Sequence, residues 1–134
     1  MTATRDNNGF TILCVDDEEN QALLRKLLLQ RAGYNVVLAG SCRAGLAAFQ
    51  SHPIDMAVVD YWMPGGNGLQ LASELKRCRQ NLPVMILSAY SELPGEAIGI
   101  ADAWVTKGLA AESLLSQIAN LLSRPKHNAC RASR

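Results

Sequence analysis

Residues 11–28 have the sequence TILCVDDEENQALLRKLL. The first five form an uninterrupted apolar run, which is typical of a strand covered on both faces of a sheet. The acidic pair Asp16 and Asp17 follows at once. Four leucines at helical spacing come next: Leu23, Leu24, Leu27 and Leu28. The stretch therefore predicts a buried strand, a helix, and two carboxylates at their junction.

The same order of apolar run and helical stretch repeats along the chain. Further apolar runs cover Asn35 to Ala39, Asp55 to Val59, Val84 to Leu87 and Trp104 to Thr106. Helical spacing recurs at Leu46 and Phe49, at Leu69, Ala72 and Leu75, and at Leu114, Leu115, Ile118, Leu121 and Leu122. Strands and helices that alternate with short connections predict an α/β fold, a doubly wound five-stranded parallel sheet with helices on both faces.

Length and composition limit the function. The chain has 134 residues, 49% hydrophobic and 19% charged, which suits one domain. Its formal net charge is +1, so we expect no direct nucleic-acid partner. No apolar run approaches the roughly 20 residues that cross a bilayer, and the polar N-terminus is unlike a signal peptide. We therefore expect a cytoplasmic protein with no membrane partner.

The ends of the chain and its cysteines differ from the rest. We expect residues 1–9 to be a flexible N-terminus, 10–123 the folded domain, and 124–134 a basic flexible tail or linker stub. The four cysteines are far apart and form no CxxC pair, which argues against a zinc or redox site. We expect reduced, packed thiols, with Cys130 in the tail as the exposed one.

Polar residues follow four of the five predicted strands, where ligands bind in such sheets. Asp16 and Asp17 come after the first, Asp60 after the third, Ser88 at the end of the fourth and Lys107 at the end of the fifth. Crowded carboxylates repel one another, and a hard cation such as Mg²⁺ relieves that repulsion. An ammonium and a hydroxyl can bind phosphoryl oxygens. The set predicts a phosphoryl-transfer site with a carboxylate nucleophile.

Each of these residues also has a purely structural interpretation. An acidic pair before a helix can cap it, Asp60 and Ser88 can be turn residues, and Lys107 can be a solvated surface charge. Their coincidence at four strand ends favours the functional interpretation.

Four segments carry a resemblance to a known family: ILCVDDEENQALL (12–24), DYWMPGGNGL (60–69), VMILSA (84–89) and AWVTK (103–107). In this order and spacing they resemble the signatures of the response-regulator receiver domain of two-component signalling, of the chemotaxis-regulator-like kind. The resemblance extends from about Phe10 to Ser123. It implies a flavodoxin-like fold with strand order 2-1-3-4-5.

The resemblance also implies a chemical role for each site residue. Asp60 would be the phosphorylated aspartate. Asp16, Asp17, Asp60 and the backbone carbonyl of Trp62 would hold Mg²⁺, and Lys107 would bind the phosphoryl group. The switch hydroxyl would be Ser88 and the switch aromatic Trp104.

Two of the departures from the family pattern concern the fourth helix and the mouth of the site. The interval from Ser88 to Lys107 is a few residues short and contains Pro94, Gly95 and Gly99, so we expect a short, irregular or partly missing fourth helix. Trp62 and Tyr90 each lie two residues beyond a site residue. As two gate aromatics they could exclude the hydrolytic water and slow self-dephosphorylation; alternatively, both are surface residues.

Taken together, the sequence predicts a phosphoacceptor that receives its phosphoryl group from a sensor histidine kinase or a phosphotransfer protein. It would catalyse only its own phosphorylation and dephosphorylation. Output would go to a downstream protein, or to a C-terminal effector if the chain is a fragment.

The alternative is a pseudo-receiver, a phosphorylation-independent interaction module, which the complete residue set argues against. An aspartyl phosphatase would need an acid where Trp62 stands, and the acidic DDEEN segment would repel a flavin phosphate.

Overall fold

The computed structural model of the chain describes residues 9–89 and 99–123. Along the chain the described elements are β1 (Thr11–Val15), α1 (Glu19–Arg31), β2 (Asn35–Ala39), α2 (Cys42–Ser51), β3 (Met56–Asp60), β4 (Trp62–Met63), β5 (Gly66–Asn67), α3 (Gly68–Cys78), β6 (Val84–Ser88), β7 (Ala103–Thr106) and α4 (Ala111–Ser123). The element bounds agree with the predicted strands to within one residue. The third strand begins at Met56 rather than Asp55 and includes Asp60.

Five of the strands form one parallel sheet in the order β2-β1-β3-β6-β7. Counted over these five strands alone, the order is 2-1-3-4-5, which confirms the flavodoxin-like fold. The remaining two, β4 and β5, form a separate antiparallel hairpin directly after β3. That hairpin was not predicted, because two strands of two residues leave no periodic pattern in the sequence.

Both faces of the sheet are covered. Successive strand residues point to opposite faces, so Leu13 and Val15 pack into one buried cluster with α2 and α3. Ile12 and Cys14 pack into the other cluster, which includes residues of α1 and α4. This two-sided burial explains why the strands are continuous apolar runs instead of alternating ones.

Of the four leucines noted for the first helix, only Leu28 packs against a core cluster. α1 buries Ala22 and Leu29, whereas Leu23, Leu24 and Leu27 are 47%, 68% and 54% exposed. Ala22 and Leu29 are seven residues apart, two helical turns, so they lie on the same face. Leucines occupy so many sides of this helix that their spacing alone does not identify the side that packs.

The cysteines in the described part of the chain differ in exposure. Cys14 is buried and Cys78 is exposed, so the prediction that singled out Cys130 as the exposed thiol was wrong in omitting Cys78. Cys130 itself and the segment 90–98, where a short or irregular fourth helix was expected, lie outside the described residues.

Among the described helices, none combines the length and the apolar character that spanning a bilayer requires.

Candidate functional site

The predicted site residues meet at the carboxyl edge of the sheet. Asp60 and Ser88 are the last residues of β3 and β6, while Asp16 and Lys107 directly follow β1 and β7. These four strands are consecutive neighbours in the sheet, all parallel. The order of the strands therefore brings residues that are up to 91 positions apart in the sequence to one edge.

Three carboxylates form the centre of this edge. One oxygen from each of Asp16, Asp17 and Asp60 lies within 4.8 Å of the others. Asp16 and Asp60 are buried and Asp17 is exposed. Burial raises the pKa of the Asp60 carboxyl, a hydrogen bond from Lys107 lowers it, and the charges of Asp16 and Asp17 raise it again, with a net upward shift. A divalent cation bound by these oxygens would offset both the burial and the mutual repulsion.

Lys107 contacts the central carboxylate directly. Its Nζ lies 2.9 Å from Oδ1 of Asp60 and donates a hydrogen bond of 3.0 Å to Oε1 of Gln21. The backbone N–H of Lys107 donates to the carbonyl of Ser88 over 2.8 Å. The first two contacts hold the ammonium between Asp60 and α1, and the third fixes the Lys107 backbone to the end of β6.

Ser88 and Trp104 lie on the adjacent strands β6 and β7. Ser88 is buried at the end of β6, opposite Thr106 of β7 in the sheet register. The ring of Trp104 packs 5.2 Å from the ring of Tyr61, the residue after Asp60. Tyr61 therefore connects the aromatic ring on β7 to the loop that follows the central carboxylate.

The loop after Asp60 is shaped by a tight turn and a close backbone approach. Pro64 and Gly65 occupy its tip, and Gly65 has a φ of +83°, a conformation that favours glycine. A Cβ on Gly68 would lie 2.5 Å from the Asp60 carbonyl oxygen, so only glycine allows α3 to begin this close to β3. The start of α3 is thus held against the backbone of Asp60 and Tyr61.

The two predicted gate aromatics have different outcomes. The Trp62 side chain is 60% exposed and its ring makes an edge contact with Tyr61 at 5.2 Å. Tyr90 lies outside the described residues.

Two polar residues of α1 contribute to the site and were missed from the sequence. Gln21 binds Lys107, as described above, and Arg25 Nη1 lies 3.0 Å from Oδ2 of Asp16. They are four residues apart and so share one face of the helix. The available signal was their polarity within a leucine-rich stretch, which marks the face that turns toward the charged edge.

An open groove lies beside the acidic cluster. Its wall combines carboxylates with small and apolar side chains from α1 and the end of β2: Asp16, Asp17, Glu19, Ala22, Leu23, Leu38, Ala39 and Gly40. The buried carboxylate with its fixed ammonium is suited to accept a transferred group, and the cluster is suited to hold a divalent cation.

Comparison with known proteins gives a consistent result. The family profile described as "Response regulator receiver domain" matches residues 12–119. The transcriptional regulatory protein RprY of Bacteroides fragilis is 34% identical over 117 residues, which are 84% of this chain and 49% of RprY. Response regulator ArlR of Staphylococcus epidermidis is 32% identical over 116 residues, 84% of this chain and 52% of ArlR. The chain spans about half the length of these relatives.

Solved structures show the same similarity in three dimensions. Response regulator TrrA of Thermotoga maritima, in complex with Mg²⁺ and BeF, has a TM-score of 0.79 and 32% identity, covering 84% of this chain and 98% of that one. A CheY-like receiver domain protein from Methanospirillum hungatei has a TM-score of 0.80 and 26% identity, covering 84% and 93%.

Proposed function

The chain belongs to the response regulator receiver domain family, and we propose that it accepts a phosphoryl group on Asp60 from the phosphohistidine of a sensor histidine kinase or a phosphotransfer protein. One Asp60 oxygen attacks phosphorus, the P–N bond breaks with its electron pair passing to the imidazole nitrogen, and an acyl phosphate forms. The observation that carries this proposal is the buried Asp60 carboxylate, 2.9 Å from the Lys107 ammonium within a cluster of three acids.

The acidic cluster fits a magnesium ion. Oxygens of Asp16, Asp17 and Asp60, with the backbone carbonyl of Trp62, would hold Mg²⁺, which supplies positive charge for the phosphoryl oxygens. The similarity to TrrA, whose structure contains Mg²⁺ and BeF, supports this assignment.

The remaining residues respond to the new charge. Lys107 is already within contact distance of Asp60 and would pair with a phosphoryl oxygen. The Ser88 hydroxyl would turn toward another phosphoryl oxygen and donate a hydrogen bond to it. Trp104 would then rotate into the space that Ser88 leaves. Because the Trp104 ring packs against Tyr61, its rotation would change the surface next to β7. A partner protein can bind one state of this surface more tightly than the other.

Trp62 and Tyr90 would slow the loss of the phosphoryl group. Hydrolysis needs a water in line with the scissile P–O bond, and a bulky ring at the mouth of the site excludes it. Trp62 lies two residues after Asp60 and is 60% exposed, which the alternative, an ordinary surface ring, predicts equally. Trp62→Ala and Tyr90→Ala should each speed autodephosphorylation. Unchanged rates in both variants would identify the rings as ordinary surface residues.

The output is a change of protein contacts. The switched surface would control a downstream protein, or a C-terminal effector where the chain is part of a longer regulator. The chain would act in the cytoplasm and would catalyse only its own phosphorylation and dephosphorylation.

The test combines metal binding with phosphate incorporation. Titrating Mg²⁺ and then beryllofluoride should change the fluorescence of Trp62 and Trp104, and acetyl phosphate should add one phosphoryl group at Asp60, located by mass spectrometry of the peptide. Asp60→Asn should abolish incorporation, whereas Glu112→Gln, which removes an exposed helix carboxylate, should retain it. A folded wild-type protein with neither a magnesium response nor incorporation would instead be a phosphorylation-independent interaction module.

A further inference from the structure

Arg25 occupies an unusual position for a basic residue, beside the acidic cluster. Its Nη1 lies 3.0 Å from Oδ2 of Asp16; the Arg25 side chain is 12% exposed and the Asp16 side chain 0%. The other Asp16 oxygen accepts a 2.9 Å hydrogen bond from the backbone N–H of Glu18. Both oxygens of this buried carboxylate are thus bound by donors from the chain itself. A buried carboxylate without such partners is strongly destabilising.

The cations at the site are divided between its two buried acids. Lys107 pairs with Asp60, and Arg25 pairs with Asp16. α1 fixes both, since Gln21 binds the Lys107 ammonium one helical turn before Arg25. With these two positive charges, the three carboxylates carry one excess negative charge, far less repulsion than the bare cluster would have.

We propose that Arg25 is an internal counter-cation of the magnesium site, which neutralises Asp16 when no metal is bound and thereby sets how tightly Mg²⁺ binds. The inference rests on the proposed function. A guanidinium stays protonated throughout the physiological pH range. Its charge therefore remains next to Asp16 when the same carboxylate holds a divalent ion, and the two positive charges repel. Arg25 stabilises the metal-free domain and weakens magnesium affinity.

A second consequence concerns the phosphorylated state. A phosphoryl group on Asp60 replaces one negative charge by about two. With Mg²⁺, Lys107 and Arg25 present, positive and negative charges at the site then balance. Without Arg25 the phosphorylated site would carry an excess negative charge, whereas the unphosphorylated, magnesium-bound site would be neutral. Arg25 therefore favours the phosphorylated over the unphosphorylated form of the magnesium-bound domain.

The test uses the full chain and four variants. Arg25→Met removes the charge and keeps much of the side-chain volume, Arg25→Gln keeps a hydrogen-bond donor, and Arg25→Lys keeps the charge. Arg31→Met is the matched control, because it removes one positive charge from an exposed position at the end of the same helix. Magnesium dissociation constants come from tryptophan fluorescence and from titration calorimetry, and Tm is measured in EDTA and in saturating Mg²⁺.

Arg25→Met and Arg25→Gln should bind Mg²⁺ about tenfold more tightly than the wild type. Both should have a lower Tm in EDTA, much of which saturating Mg²⁺ restores. Arg25→Lys and Arg31→Met should stay within about threefold of the wild-type constant. A folded Arg25→Gln protein whose magnesium affinity is unchanged or weaker would overturn the inference, leaving Arg25 as a packing residue. A wild-type protein that binds no Mg²⁺ by either method would overturn the proposed function instead.

Discussion

The helices α1 and α3 cover opposite faces of the sheet and differ in what their side chains do. α3 begins with a capping box between Asn67 and Gln70 and buries a continuous stripe: Gly68, Leu69, Leu71, Ala72 and Leu75. α1 buries only Ala22 and Leu29 and exposes three leucines. Its polar face holds the two cations of the site in place. The sequence of α3 is thus dominated by packing, whereas that of α1 is divided among packing, electrostatics and an exposed apolar surface.

The largest expected effect is a difference in alkylation rate between a cysteine beneath α1 and a cysteine at the end of α3. Cys14 is fully buried in the cluster that includes Leu29 of α1, and burial raises its pKa to about 12. Between pH 7 and 9 it therefore stays almost entirely a thiol, which is unreactive. Cys78, exposed at the end of α3, should be alkylated by iodoacetamide at least about a thousandfold faster.

Peptide mass spectrometry after timed labelling measures both rates, and labelling in urea confirms that Cys14 reacts once the chain is unfolded. Native-state rates within about tenfold of each other would mean that the layer of α1 and α4 over this face opens readily.

The second effect is the loss of a core contact from α3. Leu75 is fully buried in the cluster beneath α2 and α3. Leu75→Ala should lower the free energy of unfolding by about 3 kcal/mol, because it removes buried methyl groups and leaves a cavity. Urea denaturation followed by circular dichroism measures the change. A loss below about 1 kcal/mol would show that the α3 face relaxes around the cavity and is less rigid than its continuous stripe implies.

The same contrast explains how far the sequence alone could be interpreted. Continuous apolar runs predicted the five sheet strands, because strands buried on both faces are apolar throughout. Their alternation with helices predicted a parallel sheet, and the strand order came from the family resemblance. Strand ends then brought Asp16, Asp60 and Lys107 to one edge. The interpretation failed at α1, where leucines surround the helix and their spacing points to the wrong face. It also missed Arg25: its polarity within the leucine-rich stretch was a signal, but polarity alone does not show that the side chain pairs with Asp16, nine residues earlier.

The third effect concerns how the two helices begin. In α3 the Asn67 side chain accepts from the Gln70 N–H at 3.0 Å, and the Gln70 side chain accepts from the Asn67 N–H at 3.0 Å. In α1 a single 3.3 Å bond links Glu18 to the Gln21 N–H. Asn67→Ala should cost about 1 kcal/mol of unfolding free energy and Glu18→Ala less than about 0.5 kcal/mol. Equal losses in urea denaturation would show that the two N-terminal caps stabilise their helices equally.

The smallest expected effect is on the exposed apolar surface of α1. Leu24 is 68% exposed, so Leu24→Ser removes few contacts and should change the free energy of unfolding by less than about 0.5 kcal/mol. The comparison with Leu75→Ala is direct, since both variants truncate a leucine in a helix that flanks the sheet. A loss from Leu24→Ser approaching that of Leu75→Ala, in the same urea experiment, would mean that the leucine is covered in solution. α1 would then be a packing helix like α3, and the division of its surface described above would be wrong.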